Sequence, residues 1–308
     1  MKNLIQEVKK RKLTMGCEFT FWPRKSRNSS QNPSRLVKRA YPKDTPKWML
    51  QRAISEDRLF ECPSEVAKTF ENLKEQWRQF DKVVKKNGGA YRYYQYDSGG
   101  GHIHLKNPFN NNKDKHLKFK KVLLTLISNH PEIIWAFNGP RDNHNAKIPA
   151  LFEFSLAGWT LTPSQRREAT HSQYGVYFFN FKEWIDIPHA HFKHNIAANC
   201  RLLGSIEYRF IDAPSSEFQL ELSVAVCAAL HLKAIEIVEQ GKEIPKLKYS
   251  KDDYAKIEWQ EARQNLINFA NEHGLPVNRM VQQFKNLKLR FFPELYFKGK
   301  FKHRELLV

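Results

Sequence analysis

The chain has 308 residues, 41% of them hydrophobic, and 51 Lys and Arg against 32 Asp and Glu give a formal net charge of +19. This composition is typical of a soluble globular protein and excludes a disordered or fibrous chain. The best candidate for a membrane span, SVAVCAALHLKAIEIV, is interrupted by His231 and Lys233 and is shorter than the roughly 20 residues required. Because the start, MKNLIQEVKKRK, lacks the apolar core of a secretory signal, we expect a cytoplasmic protein.

The cysteines and the charge restrict the function classes further. Cys17, Cys62, Cys200 and Cys227 form no CxxC pair, so neither a zinc knuckle nor a disulfide framework is indicated, and we expect free thiols. Residues 1–50 contain 13 Lys or Arg, and a second basic segment, FKNLKLRFFPELYFKGKFKHR, lies near the C-terminus. Such a surface favours a polyanion, which could be nucleic acid, a nucleotide or an acidic peptide. Solubility alone is the alternative explanation.

Hydrophobic periodicity and Gly or Pro breakers predict the elements in chain order. A strand at 12–22 precedes a long loop at 24–47, which is rich in Ser, Asn, Pro and basic residues. The elements predicted after the loop are a short strand ending at Pro63, a helix from Ser64 to Gly88, strands at 91–97 and 102–105 around a glycine turn, a helix at 116–130, strands at 151–158 and 204–213, and helices at Phe218–Glu239 and Tyr254–His273.

The helix from Ser64 is predicted by apolar residues at three- and four-residue steps. These are Val66, Phe70, Leu73, Trp77, Phe80 and Val84. Strands gathered in the first two-thirds of the chain, with helices packed behind them, imply an α+β fold built on an antiparallel sheet. No segment is a convincing linker, so we expect a single domain over 1–308, with the sheet in 13–213 and a C-terminal helical layer in 214–308.

Four of the strands repeat one design, an apolar face and a reverse face that carries Glu, His or Arg. Side chains alternate along a strand, so in MGCEFTF the side chains of Glu18 and Thr20 share the face opposite Cys17. The reverse faces of the other three strands carry Glu61 in LFECP, His102 and His104 in GHIHL, and Glu207 and Arg209 in SIEYRFI. If these strands belong to one sheet, three carboxylates and two imidazoles converge on one side of it.

This set of side chains suits phosphoryl chemistry on a metal. Carboxylate oxygens are ligands for Mg²⁺ or Mn²⁺, Mn²⁺ also accepts imidazole, and an arginine neutralises phosphate. Each motif taken alone has a simpler structural explanation. A Glu on a strand usually faces solvent, and an HxH pair usually lies on a surface strand. The GGG stretch is a turn, because it lacks the pattern of a P-loop. The recurrence of the design over four strands favours a site.

The order of these motifs resembles a known family. MGCEFTF, DRLFECPSE with a long helix after it, GGGHIHL and NCRLLGSIEYRF are similar to the successive signatures of the amidoligases. These carboxylate–amine ligases belong to the glutamine-synthetase and glutamate–cysteine-ligase superfamily, and the phage-type ("type 2") members are the most similar. The resemblance covers residues 13 to 213. It implies a curved antiparallel sheet that binds ATP with two or three divalent cations, Mg²⁺ or Mn²⁺, on its concave face, with helices on the convex face.

The resemblance also implies a reaction and a role for each residue. A substrate carboxylate would attack the γ-phosphate of ATP, and an amine would displace phosphate from the acyl phosphate to leave an amide. A small molecule, a peptide or a protein could supply these groups. The implied metal ligands are Glu18, Glu61, His102 and Glu207; the nucleotide would contact His104, Gly100, Gly101 and Arg209; and catalysis would use Arg209, Arg201 and Asn199.

One position departs from the pattern, because many relatives carry a second acid where this chain has Thr20. A hydroxyl is a neutral oxygen ligand, so the site would hold fewer metals or hold them more weakly.

Two other functions stay open on the residues alone. One is a non-catalytic basic protein of the same fold that binds nucleic acid or a viral assembly. The other is a metal-dependent hydrolase or phosphotransferase that works without ATP. The oligomeric state is not indicated.

Overall fold

A computed structural model of the chain describes residues 1–21, 45–52, 54–56, 59–86, 92–93, 97–98, 101–137, 198–200, 204–208, 210–211, 213–246, 248 and 259–285. The predicted strand at 151–158, almost all of the predicted loop at 24–47 and most of the basic C-terminal segment lie outside these ranges. Within them, the structure contains no helix whose length and apolar character would suit a membrane crossing.

The helices and strands are numbered in chain order. The helices are α1 (Lys2–Lys10), α2 (Lys47–Arg52), α3 (Phe70–Lys86), α4 (Lys113–Ser128), α5 (Pro131–Phe137), α6 (Glu217–Glu239), α7 (Trp259–Glu272) and α8 (Val277–Lys285). The strands are β1 (Met15–Phe21), β2 (Ile54–Glu56), β3 (Leu59–Pro63), β4 (Arg92–Tyr93), β5 (Asp97–Ser98), β6 (Ile103–Lys106), β7 (Ala198–Cys200) and β8 (Ser205–Tyr208).

The main sheet has six strands in the order β2-β3-β1-β6-β8-β7, and every neighbouring pair is antiparallel. The four strands that carry the repeated design, β1, β3, β6 and β8, all belong to it, so the prediction that they share one sheet is confirmed. Strands β4 and β5, from the segment predicted as strands before the glycine turn, pair only with each other. The curvature of the sheet and the single-domain organisation stay predictions.

Helix α3 begins later than its periodicity predicts, and the predicted start at Ser64 is wrong. The backbone of Ala67 pairs with Met15 through two hydrogen bonds of 2.8 and 2.9 Å, which extend the contact with β1. The hydroxyl of Thr69 then accepts a hydrogen bond from the amide of Asn72, which caps the first turn. Val66, counted in the helical pattern, is 69% exposed. Residues 64–69 therefore precede the helix, and within them Ser64 and Ala67 make backbone hydrogen bonds to β1.

The core lies between one face of the sheet and the helices, as the α+β class requires. Phe19 of β1 stacks on Phe80 of α3 with ring centroids 5.1 Å apart, and Phe21 meets the same ring edge-on at 5.6 Å. Behind β6 lies α6, which contacts α1, α3 and α4 as well. Its middle is buried nearly all round, because the run from Leu222 to Leu230 contains no exposed residue. A helix that is apolar on every side is expected in the interior.

Candidate metal and nucleotide site

The face of the sheet away from the helices carries the side chains of Glu18, His102, His104 and Glu207 in two adjacent rows. Gly16, His104, Glu207 and Asn199 are direct register partners across β1, β6, β8 and β7. Two residues further along β1, the amide of Glu18 donates to the carbonyl of His102 at 2.9 Å. Directly opposed residues and residues two apart lie on the same face of a sheet. The prediction that Glu18, His102, His104 and Glu207 share a face is therefore confirmed.

Three of these side chains form a compact cluster. The ligand atoms of Glu18, His102 and Glu207 all lie within 4.8 Å of one another. His102 Nδ1 is hydrogen-bonded to Glu18 Oε2 and lies 3.4 Å from Glu207 Oε1. His104 Nε2 lies 3.1 Å from the other oxygen of Glu18, Oε1. Each carboxylate oxygen of Glu18 therefore accepts from a different imidazole.

The surroundings of Glu18 keep its carboxylate ionised. Burial on its own would raise the pKa of the Glu18 carboxyl, but the hydrogen bonds from His102 and His104 and the charges on these rings hold the pKa well below its usual value. Glu207, the third member, is only 1% exposed. A carboxylate must be deprotonated to bind a cation, so Glu18 is already in the required form.

The neighbouring part of the same face is formed by Thr20 and Glu61. They are direct register partners on β1 and β3, and Thr20 is two residues from Glu18, so all three lie on one face. Thr20 is 2% exposed and its Oγ1 has no hydrogen-bond partner. Leaving a buried hydroxyl unpaired costs about 1–3 kcal/mol. This unpaired oxygen lies on the face of the cluster, where a bound ligand would satisfy it.

The local sequence explains why the polar side chains can lie on this face. Cys17 and Phe19, which alternate with Glu18, are each 1% exposed and anchor β1 in the core. Burial raises the pKa of the Cys17 thiol well above its usual value, as it does for Cys62, whose pKa is about 12. Both thiols are buried and free, which confirms the expectation of free thiols for these two cysteines. Neither is a nucleophile at neutral pH.

Gly16 allows a close approach between β1 and Ser64. A Cβ atom on this glycine would lie 3.3 Å from the hydroxyl oxygen of Ser64 and 3.8 Å from Cβ of His104. Ser64 uses the same oxygen to accept a hydrogen bond of 2.9 Å from the amide of Cys17. A Cβ at position 16 would therefore press on the Ser64 hydroxyl at the junction between β1 and the end of β3, and would make an ordinary contact with His104.

The remaining predicted residues are described only in part. The backbone of Asn199 lies in β7 opposite Glu207. The amide of Gly101 donates to the carbonyl of Ile211 at 2.9 Å, which uses the N–H that a phosphate oxygen would need. Gly100, Arg201 and Arg209 lie outside the described residues. Their roles stay predictions.

Sequence reasoning missed a supporting contact behind the sheet. His231 of α6 is fully buried; its Nε2 donates to the carbonyl of Lys106 at 3.0 Å and its Nδ1 accepts from the hydroxyl of Tyr208 at 2.9 Å. Lys106 ends the strand of His102 and His104, and Tyr208 follows Glu207, so α6 fixes both strands at the cluster. The available signal was a histidine inside an otherwise apolar helix, which requires buried partners.

The cluster fits a divalent cation. Two carboxylates and one imidazole offer oxygen and nitrogen ligands at short mutual distances, and this mixture suits Mn²⁺ or Mg²⁺ better than a soft metal. Among the described residues, the hydrogen-bond partners of the Glu18 carboxylate are the two histidines, and no lysine or arginine is paired with it. Protein-derived ligands from three strands leave the remaining coordination positions to water or substrate oxygens.

Comparisons with known proteins give structural likeness only. No family model and no curated protein matches the chain. Apo GmaS without ligand has a TM-score of 0.49 and 13% identity over 99% of this chain and 74% of its own. A glutamine synthase homologue has a TM-score of 0.44 and 11% identity over 96% and 71%. The ligase PafA, solved in complex with the prokaryotic ubiquitin-like protein Pup, has a TM-score of 0.43 and 11% identity over 95% and 67%.

All three likenesses have TM-scores below 0.5 and 11–13% identity, and at that distance a shared arrangement does not carry a shared activity. The function of this chain therefore has to follow from its own residues.

Proposed function

We propose that the chain is an ATP-dependent carboxylate–amine ligase that binds its nucleotide with a divalent cation. The observation that carries the proposal is the Glu18–His102–Glu207 cluster, whose ligand atoms lie within 4.8 Å of one another. It unites residues from three motifs that are 84 and 105 positions apart in the sequence and meet on adjacent strands. The order of these motifs is the feature that resembles the amidoligases.

A cation held by Glu18, His102 and Glu207 would bind phosphate oxygens of ATP and neutralise charge on the transferring phosphoryl group. In the proposed reaction, the substrate carboxylate attacks the γ-phosphate, which leaves ADP and an acyl phosphate. The amine then attacks the acyl carbon, and inorganic phosphate departs as the amide forms. Such chemistry depends on positioned charges and needs no covalent nucleophile, which agrees with the buried, protonated thiols of Cys17 and Cys62.

We assign the other residues as follows. His104 holds Glu18 in place through its 3.1 Å hydrogen bond and faces the nucleotide side of the cluster. Glu61 contributes a carboxylate to the neighbouring cation position. Arg209 and Arg201 would neutralise the phosphoryl group and the substrate carboxylate, and Asn199, placed opposite Glu207, would orient the substrate. Gly100 and Gly101 would leave room for the nucleotide.

Nucleotide binding with and without Mg²⁺ tests the proposal directly. ATP with Mg²⁺ is expected to raise the melting temperature of the wild-type chain, and either component alone should raise it less. Glu207→Gln keeps the size of the side chain but removes its charge, so the shift should be lost while the fold persists. Glu243→Gln is the matched control, because Glu243 is exposed and lies far along the chain from the cluster motifs.

The outcome that contradicts the proposal is equally specific. If ATP with Mg²⁺ shifts neither the wild type nor Glu243→Gln, the chain is not a nucleotide-dependent ligase. Steeply salt-dependent DNA binding in the same samples would then favour the basic nucleic-acid-binding alternative. A Glu207→Gln variant that keeps the full shift would show that the cation is held elsewhere.

A further inference from the structure

One buried polar contact joins the two strands of the cluster to the helix behind them. His231 of α6 and Tyr208 of β8 are both fully buried. The ring of His231 donates from Nε2 to the carbonyl of Lys106 at 3.0 Å and accepts at Nδ1 from the Tyr208 hydroxyl at 2.9 Å. Lys106 belongs to β6, so a single side chain ties two neighbouring strands to α6.

The two anchoring points enclose strand residues that face the cluster. One of them, Tyr208, is opposite Ile103 at the start of β6, and the other, Lys106, is the last residue of that strand. The register pair His104 and Glu207 lies between them. Because Tyr208 follows Glu207 directly and side chains alternate, its ring occupies the core face while Glu207 occupies the polar face. A displacement of the ring would therefore move the backbone from which Glu207 projects.

The cluster depends on the distance between these strands. His102, which directly precedes β6, has its Nδ1 atom 3.4 Å from Glu207 Oε1 on β8. A bound cation tolerates ligand distances that differ by only about 0.2 Å from their usual values, and ligands stay within about 0.5 Å of a working geometry only when other contacts support them. The ladder hydrogen bonds determine the register of the two strands. The contact with His231 adds a restraint from the core side.

We propose that Tyr208 and His231 are positioning residues of the cation site, which hold β6 and β8 at the separation at which His102 and Glu207 bind one cation. The inference rests on the proposed function, since it requires a cation at the Glu18–His102–Glu207 cluster. Neither positioning residue contacts the cation. Their effect is on the affinity with which it is held, and residues outside the ligand shell commonly contribute about 10–100-fold to metal affinity.

Titration of the full chain with Mn²⁺ alone, followed by electron paramagnetic resonance, measures this affinity. Tyr208→Phe removes one hydroxyl and leaves Nδ1 of His231 without its donor, so it should raise the Kd for Mn²⁺ by about tenfold. His231→Leu removes both hydrogen bonds and should raise the Kd at least as much. The amide of His231→Gln can donate to Lys106 and accept from Tyr208, so this variant should keep a Kd close to that of wild type.

Thr125→Val is the matched control for the loss of a buried hydrogen bond. Thr125 is buried, and its hydroxyl donates to the carbonyl of Lys121 at 2.8 Å within α4. This variant should lower the melting temperature and leave the Kd for Mn²⁺ unchanged, because the hydrogen bond it loses does not hold β6 or β8. Each Kd is measured well below the melting temperature of the variant, so that only folded molecules are compared.

Two results would overturn the inference. If Tyr208→Phe lowers the melting temperature but keeps the wild-type Kd, as Thr125→Val should, the contact supports stability alone, and the proposed ligase function still stands. If His231→Gln binds Mn²⁺ as weakly as His231→Leu, the two hydrogen bonds are not the cause of the effect. Absence of Mn²⁺ binding to wild type would contradict the proposed function itself. If His231→Leu does not fold, Tyr208→Phe and His231→Gln still decide the question.

Discussion

Replacing His231 by glutamine should make the stability of the fold less dependent on pH between 7 and 5. The carbonyl of Lys106 can only accept, so Nε2 of His231 carries the proton and Nδ1 accepts from Tyr208. The neutral ring therefore satisfies both nitrogens. Burial lowers the pKa of His231 to about 3, although the hydrogen bond to Lys106 acts to raise it. Glutamine can accept and donate at similar positions but does not titrate.

The magnitude follows from the difference between the folded and unfolded chains. An unfolded histidine has a pKa of about 6.5, so below that pH this residue binds a proton in the unfolded chain but stays neutral in the folded chain. The stability supplied by the neutral ring is thus fully present above pH 6.5 and is lost as the pH falls towards 3. At pH 5 the loss is about 2 kcal/mol, since each pH unit below 6.5 costs about 1.4 kcal/mol. This value depends almost entirely on the unfolded pKa, because the folded pKa lies well below 5.

Urea unfolding followed by circular dichroism at pH 7 and pH 5 measures the effect. Wild type contains other titrating groups. The informative quantity is therefore the drop in the free energy of unfolding between pH 7 and pH 5, which should be larger for wild type than for His231→Gln. Tyr208→Phe is the control: it leaves Nδ1 of His231 unpaired and should lower stability by about 1–3 kcal/mol at pH 7, while the pH dependence persists. Equal losses for wild type and His231→Gln, within about 0.5 kcal/mol, would refute a buried neutral His231.

Three further substitutions test the framework around the site, each by urea unfolding. Phe80→Ala removes a ring that is 1% exposed and stacked on Phe19, and should lower the free energy of unfolding by about 3–5 kcal/mol. A decrease below about 1 kcal/mol would show that the surrounding side chains fill the cavity. Gly204→Ala should lower the free energy of unfolding by about 1–3 kcal/mol, because φ is +93° and the new Cβ would lie 3.0 Å from Asn110 Nδ2. Unchanged stability would contradict the positive φ at this position. Asn112→Ala should cost about 1 kcal/mol, since the Asn112 side chain caps α4; no change would mean that water replaces the cap.

The polar face of the sheet was the most predictable feature of the molecule. Alternation has a period of two along a strand, so the sequence alone determines that Glu18 and Thr20 share one face and that Cys17 and Phe19 share the other. It does not determine which strands are neighbours, because pairing is a long-range property. The structure supplies that step by placing His104 between Gly16 and Glu207.

The features that sequence reasoning missed depend on particular long-range contacts. The residues after Ser64 match a helical spacing, but the hydrogen bonds between Ala67 and Met15 outweigh local helix propensity, which is a weak preference. His231 was visible only as an interruption of an apolar run, since its partners Lys106 and Tyr208 are far away in sequence. The burial of Thr20 could not be predicted either, because a threonine on a polar strand face is usually solvated.

The position of the cluster within the strand order has a consequence for its dynamics. Strands β1, β6 and β8 are interior strands, each hydrogen-bonded to a neighbour on both sides, and α6 covers β6 from behind. Backbone amides in such strands exchange with solvent only when the whole domain opens. We therefore expect the amides of Cys17, Ile103 and Leu105 to be among the slowest to exchange deuterium, and a bound cation to slow them further in proportion to the stability it adds. The proposed cation ligands are thus held by the most persistent part of the fold.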